Sequence, residues 1–132
     1  MRSPSGNVIL CKLKDKSWHF LPGGHVENGE SAKEALKREL REELGIKNID
    51  ISSFVGICEN LFVHHKDKLQ HEVNIIFEVN LPTDDIKSKE DHIEFIATKE
   101  KDLKKQIILP EGIQEEIADW VESEKPFFKE IK

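Results

Sequence analysis

The chain has 132 residues, 35% of them charged, and a formal net charge of −6. That length suits one domain with a real core, and the acidic balance disfavours a broad surface for long nucleic acid. No apolar run approaches the roughly 20 residues of a membrane span, and no signal peptide is visible.

Asn7 to Leu13, NVILCKL, reads as a strand apolar on both faces, and a turn over Lys14 to Ser17 leads into a second strand, Trp18 to Leu21. Pro22, the pair Gly23 and Gly24, and a turn at Asn28 and Gly29 follow, where the backbone must bend or be closely approached. A helix is expected over Ala32 to Leu44. Ser31 with Glu34 forms a capping box, good helix formers fill the interior, and Gly45 supplies a left-handed stop. Beyond it come a strand over Ile49 to Leu61, a polar loop over His64 to Gln70, and a strand over Glu72 to Val79. A charged connection over Leu81 to Asp91 precedes a last strand, His92 to Ala97. Ile113, Ile117, Trp120 and Val121 then recur at helical spacing, which predicts an amphipathic helix over Pro110 to Glu122. No repeat or linker divides the chain, so a single domain over residues 1–132 is expected. Cys11 and Cys58 lack metal-ligand spacing and sit in apolar, strand-like surroundings, as buried thiols of a cytoplasmic protein would.

The helix raises a question of charge. At about 100° per residue, Ala32, Ala35, Leu36, Leu40 and Leu44 form one apolar sector, yet Glu39 and Glu43 both fall within about 20° of Ala32. A solvated ladder explains Glu34, Arg38 and Glu42 at i,i+4 spacing. It fails for Glu39, whose neighbours four residues away are Ala35 and Glu43. Glutamates at i, i+3 and i+4 repel unless a cation lies between them, and clustered hard oxygen donors suit Mg²⁺ or Mn²⁺ better than zinc.

The stretch GHVENGESAKEALKRELREELGI, Gly24 to Ile46, resembles the Nudix box of the MutT-like pyrophosphohydrolases. Every specified position is filled: Gly24, Glu30, Arg38, Glu39, Leu40, Glu42, Glu43, Gly45 and Ile46. The resemblance implies an α/β/α sandwich with a mixed β-sheet between helices. It further implies metal binding by Glu39, Glu42 and Glu43 with the Gly23 carbonyl, catalytic parts for Glu42 and Arg38, and a Glu30 that orients Arg38. Members usually carry a further strand ahead of the first one found here. Only MRSPSG stands there, so the expectation is either a foreshortened sheet edge or a start lying upstream.

Splitting a phosphoanhydride brings water to phosphorus among crowded negative oxygens, which a divalent cation shields while acidifying the water. The family draws its general base from varied places outside the box. Glu90, Asp91 and Glu94 are available, and Glu90 is preferred because its loop can fold over the site. His64, His65 and His71 could touch a base or phosphate, but exposed loop histidines without a role are the simpler reading. Substrate choice stays open between ADP-ribose-like molecules and nucleoside triphosphates. The proline that often follows the box in ADP-ribose enzymes is absent, and so is any tyrosine for a dinucleotide signature. The partner expected is a small nucleotide, with no long nucleic acid and no membrane, and a homodimer is left open. A nucleotide-sensing module without turnover is the alternative, against which the intact glutamate set weighs. An RNA-binding component would need a basic surface.

Overall fold

The structure is a computed structural model describing residues 1–132. Strand β1 (Val8–Leu13) pairs antiparallel with β2 (His19–Phe20) on one side and β5 (Ile93–Thr98) on the other. The two-residue β6 (Ile108–Leu109) adds parallel to β2, giving the order β5-β1-β2-β6. A second sheet, β4-β3-β7, joins the long hairpin of β3 (Asp50–His64) and β4 (Lys68–Asn80) to a parallel β7 (Phe127–Ile131). Two mixed sheets thus stand where one was expected. The opening residues link them: Arg2 bridges both Val8 and Asn80, so MRSPSG contributes one rung between the sheets. No helix is long and apolar enough to cross a membrane.

Helix α1 (Ala32–Leu44) and helix α2 (Ile113–Ser123) cover opposite faces of β1. Leu40 and Leu44 of α1 pack with Ile9, Val79 and Leu81, while Ile113, Ile117 and Ala118 of α2 pack with Val8, Leu10 and Cys58. Adjacent residues of β1 thereby serve two cores, as the alternation of side chains along a strand requires. This is the layered sandwich the box resemblance implies. Cys11 and Cys58 are free and fully buried, as their surroundings suggested.

Several boundaries differ from expectation for identifiable reasons. The polar loop over His64 to Gln70 shrinks to the turn at residues 65–67, where Lys66 and Asp67 take positive φ, and the ladder runs on to His64↔Lys68. Continuous backbone pairing outweighs side-chain polarity there. Helix α2 begins three residues beyond Pro110, because Gly112 at φ 96° is left-handed and Ile113 N–H closes a turn onto the Pro110 carbonyl at 3.1 Å. Three elements went unpredicted: β6, β7 and a 3₁₀ turn over Glu100–Lys105, whose one buried anchor is Leu103.

Candidate active site

Helix α1 is held at both ends by local chemistry. Ser31 Oγ accepts from Glu34 N–H at 3.3 Å and Glu34 Oε2 accepts from Ser31 N–H at 2.7 Å. Glu34 is therefore spent on the cap and takes no part in the ladder with Arg38 that its spacing suggested. Gly45 closes the helix at φ 69°, its N–H donating to the Arg41 carbonyl at 2.8 Å.

Between those ends Arg38 is a hub. Its Nε donates to Glu30 Oε2 at 3.0 Å and its Nη2 to Glu30 Oε1 at 2.7 Å, a bidentate pair. Nη2 also donates to the His25 carbonyl at 3.0 Å, and Nη1 reaches Glu39 Oε1 at 2.9 Å and Glu42 Oε2 at 3.6 Å. Glu30 in turn accepts from the Glu27 N–H at 2.8 Å. The Arg38 guanidinium and that N–H hold the Glu30 carboxyl down to about 2. One guanidinium thus fastens the glycine loop to the helix and fixes Glu39. Gly24 completes the fit, because a Cβ on it would overlap the Glu39 carboxylate.

Glu43 is in a different state. Its Oε2 is buried with no hydrogen-bond partner, and burial, then the charges of Glu39, Glu90 and Glu42, push its carboxyl up from 4.5 to about 7. Glu90 reaches this neighbourhood because its loop is tied to the end of α1: Lys89 N–H donates to the Glu43 carbonyl at 2.8 Å. Ser88 Oγ shapes the loop, donating to the Glu90 carbonyl at 2.9 Å and accepting from its N–H at 3.0 Å. The Lys89 side chain lies over Gly45, where a Cβ would overlap it. Below, burial first and then the same Glu43 charge raise the Cys11 thiol far above its ordinary range, keeping it protonated.

The structure therefore brings together Glu30, Arg38 and Glu39, and separately sets Glu43 beside Glu39, Glu42 and Glu90. Of the base candidates, Glu90 acts on Glu43, while Asp91 and Glu94 do not appear among the charges it feels. No three acidic, histidine or cysteine side chains converge tightly enough to enclose a cation as they stand, since Glu39 and Glu42 turn toward Arg38. The donor set nonetheless fits a hard divalent ion. Glu43 Oε2 has no partner from the protein, and no hydrogen bond engages the Gly23 carbonyl. His71 is paired to Glu59 at 2.7 Å, and His64 and His65 meet edge to face at the hairpin tip, none of them bonded to the α1 carboxylates. A cleft of about 1490 Å³ opens between the sheets from Gly23, Gly24 and Leu36 past Phe20 to Trp120. Sequence reasoning missed the His25 carbonyl, Ser88 and Lys89. Only Ser88, two residues before an acid, carried a signal, that of a side-chain turn.

An acidic helix clamped by an arginine to a glycine loop, set against two mixed sheets, defines a Nudix-type domain. The chain belongs to the Nudix family, whose NUDIX domain description matches it over residues 1–123. It is 40% identical over 73 residues to a Bacillus subtilis (strain 168) protein provisionally named 8-oxo-dGTP diphosphatase, covering 55% of this chain and 44% of that one. It is 38% identical over 79 residues to the nucleoside triphosphatase NudI of Salmonella typhimurium, covering 54% of this chain and 56% of that one. The chain thus spans about half the length of these curated relatives. The crystal structure of a MutT protein from Methanosarcina mazei Go1 matches with a TM-score of 0.71 at 25% identity, over 94% of this chain and 89% of that one. An ADP-ribose pyrophosphatase of Streptococcus suis shares the fold, with a TM-score of 0.59 at 17% identity over 96% of this chain and 90% of that one.

Proposed function

We propose that this chain is a pyrophosphohydrolase dependent on Mg²⁺ or Mn²⁺ that cleaves the phosphoanhydride of a small nucleoside diphosphate derivative. The observation that carries this reading is the unpartnered, buried Oε2 of Glu43, gathered with Glu39, Glu42 and Glu90 where no protein cation offsets it. Glu39, Glu42 and Glu43, with the Gly23 carbonyl, are the groups that would hold the ion. When bound, such an ion shields phosphate charge and acidifies water.

The protein's own residues have distinct tasks. Arg38, gripped by Glu30, orients the Glu39 carboxylate and holds the glycine loop against the helix. Glu90, brought over the end of α1 by the Lys89 main chain, accepts the proton of the attacking water. The cleft between the sheets admits the nucleoside, its apolar walls excluding bulk water. Nucleoside triphosphates rank first among substrates and ADP-ribose-like molecules second, because both curated relatives are named for triphosphate chemistry.

The test is a turnover screen in Mg²⁺ and in Mn²⁺ against canonical and oxidised nucleoside triphosphates, ADP-ribose, dinucleoside polyphosphates and nucleotide sugars, following released phosphate and pyrophosphate. Turnover abolished by chelator and by Glu43→Gln is expected. Folded protein that turns over none of these with either metal would overturn the reading.

A further inference from the structure

The face of the β4-β3-β7 sheet that meets α2 carries a polar pair beside its core. Cys58 of β3 is fully buried with Ile113 and Ile117 of α2, and Asn60, two residues on, shares its face. Across the ladder Asn60 stands directly opposite Glu72 of β4, with Ile131 of β7 on its other side. Asn60 is half-buried and Glu72 exposed, and both line the cleft between the sheets together with Phe20 of β2 and Phe62 of β3. Nearby polar groups on the hairpin are already engaged. His71 and Glu59 hold each other at 2.7 Å, and Asn74 Nδ2 donates to the Cys58 carbonyl at 3.4 Å. The side chains of Asn60 and Glu72 make no hydrogen bond or ion pair, with the rest of the chain or with one another. A half-buried amide beside a free carboxylate leaves donors and acceptors for a ligand of the cleft.

We propose that Asn60 and Glu72 read the base of the substrate and that they select guanine. This rests on the reading above that the cleft admits the nucleoside. Directly opposite residues of an antiparallel ladder hold their Cβ atoms roughly 5 Å apart, so two side chains there address neighbouring atoms of one base edge. A carboxylate has acceptors only. Guanine alone among the common bases sets two donors side by side, N1–H and N2–H, one for each of its oxygens. The next atom along the same edge is O6, an acceptor, for which the Asn60 amide has donors. Adenine would turn its N1 lone pair toward the carboxylate, and cytosine its N3. Uracil offers a single donor between two carbonyls. Phe20 and Phe62 supply aromatic surface for the base to cover. The pair leaves C8 untouched, so 8-oxoguanine presents it with the same edge as guanine.

The test is isothermal titration calorimetry of the full chain in Mg²⁺ with GMP, IMP and AMP, which carry base and ribose but no anhydride to cleave. GMP is expected to bind about tenfold tighter than IMP, which lacks the N2 amino group, and about a hundredfold tighter than AMP. Glu72→Gln replaces an acceptor-only group by an amide. It should erase the difference between GMP and IMP and raise the affinity for AMP, a gain that misfolding cannot produce. Asn60→Leu should weaken GMP and IMP alike, by about tenfold, since both carry O6. Wild type that binds the three nucleotides equally, or none of them at millimolar concentration, would overturn the proposal. So would a Glu72→Gln variant that keeps the wild-type order. Preference for GMP in a protein that turns over no triphosphate would uphold this assignment and defeat the catalytic reading, whereas turnover indifferent to the base would do the reverse.

Discussion

Glu43→Gln is the most informative perturbation of the site, because it separates the cost of an empty acidic cluster from its use. The folded protein binds the Glu43 proton more tightly than the unfolded chain, about 7 against 4.5. Stability from this group is therefore present below about pH 4.5 and is lost as pH rises toward 7. At full strength the gap is on the order of 3 kcal/mol, and solvent at the half-exposed side chain reduces it to about 1–2 kcal/mol. In chelator at pH 8, Glu43→Gln should thus be more stable than wild type by about 1–2 kcal/mol, and the advantage should vanish near pH 4. Glu39→Gln should give a smaller net gain, because removing the charge that acts on Glu43 is offset by the loss of the Glu39 pair with Arg38 at 2.9 Å. Urea denaturation in chelator at fixed ionic strength, at pH 4 and pH 8, measures this. Added Mg²⁺ should then stabilise wild type and leave Glu43→Gln nearly unmoved. A mutant less stable than wild type at pH 8, or a difference indifferent to pH, would refute the reasoning.

Other expectations follow from the same contacts. Glu30→Gln cannot receive the Arg38 fork in two places, so kcat/KM should fall by about 10–100-fold, as should that of Arg38→Lys, both read by steady-state kinetics. Gly24→Ala forces a methyl into the Glu39 carboxylate and should cost about 1–3 kcal/mol in denaturant melts. Lys89→Pro deletes the N–H that holds the Glu90 loop and should lower kcat with little change in KM, whereas Lys89→Ala keeps that bond and most of the rate. Turnover should require Mg²⁺ or Mn²⁺ and climb toward alkaline pH in a pH–rate profile.

What could be read from the chain divides along the range of the forces involved. Helix α1 was legible to the residue, Ala32 to Leu44, because its cap, interior and stop are all local. The anomaly of Glu39 and Glu43 was likewise visible in helical periodicity. Strand β7 was missed because Phe127–Ile131 earns its conformation only by lying parallel to β3, a pairing that separates its members by most of the chain. Strand β6 is two residues held by β2, and the Glu100–Lys105 turn has a single apolar anchor, so neither shows a period. In the site, box spacing pointed to Glu30 and Arg38 as partners. The Lys89 tie to Glu43 is main chain to main chain and leaves no trace in residue type.

That tie has a consequence for how such a site can change over time. A bond between two backbone groups is indifferent to side-chain identity, so almost any residue at position 89 except proline would preserve it. The long connection before β5 can therefore drift in composition while the acid at position 90 stays moored to the end of α1. On the proposed function, selectivity among substrates can be rewritten in that segment without relocating the proposed general base.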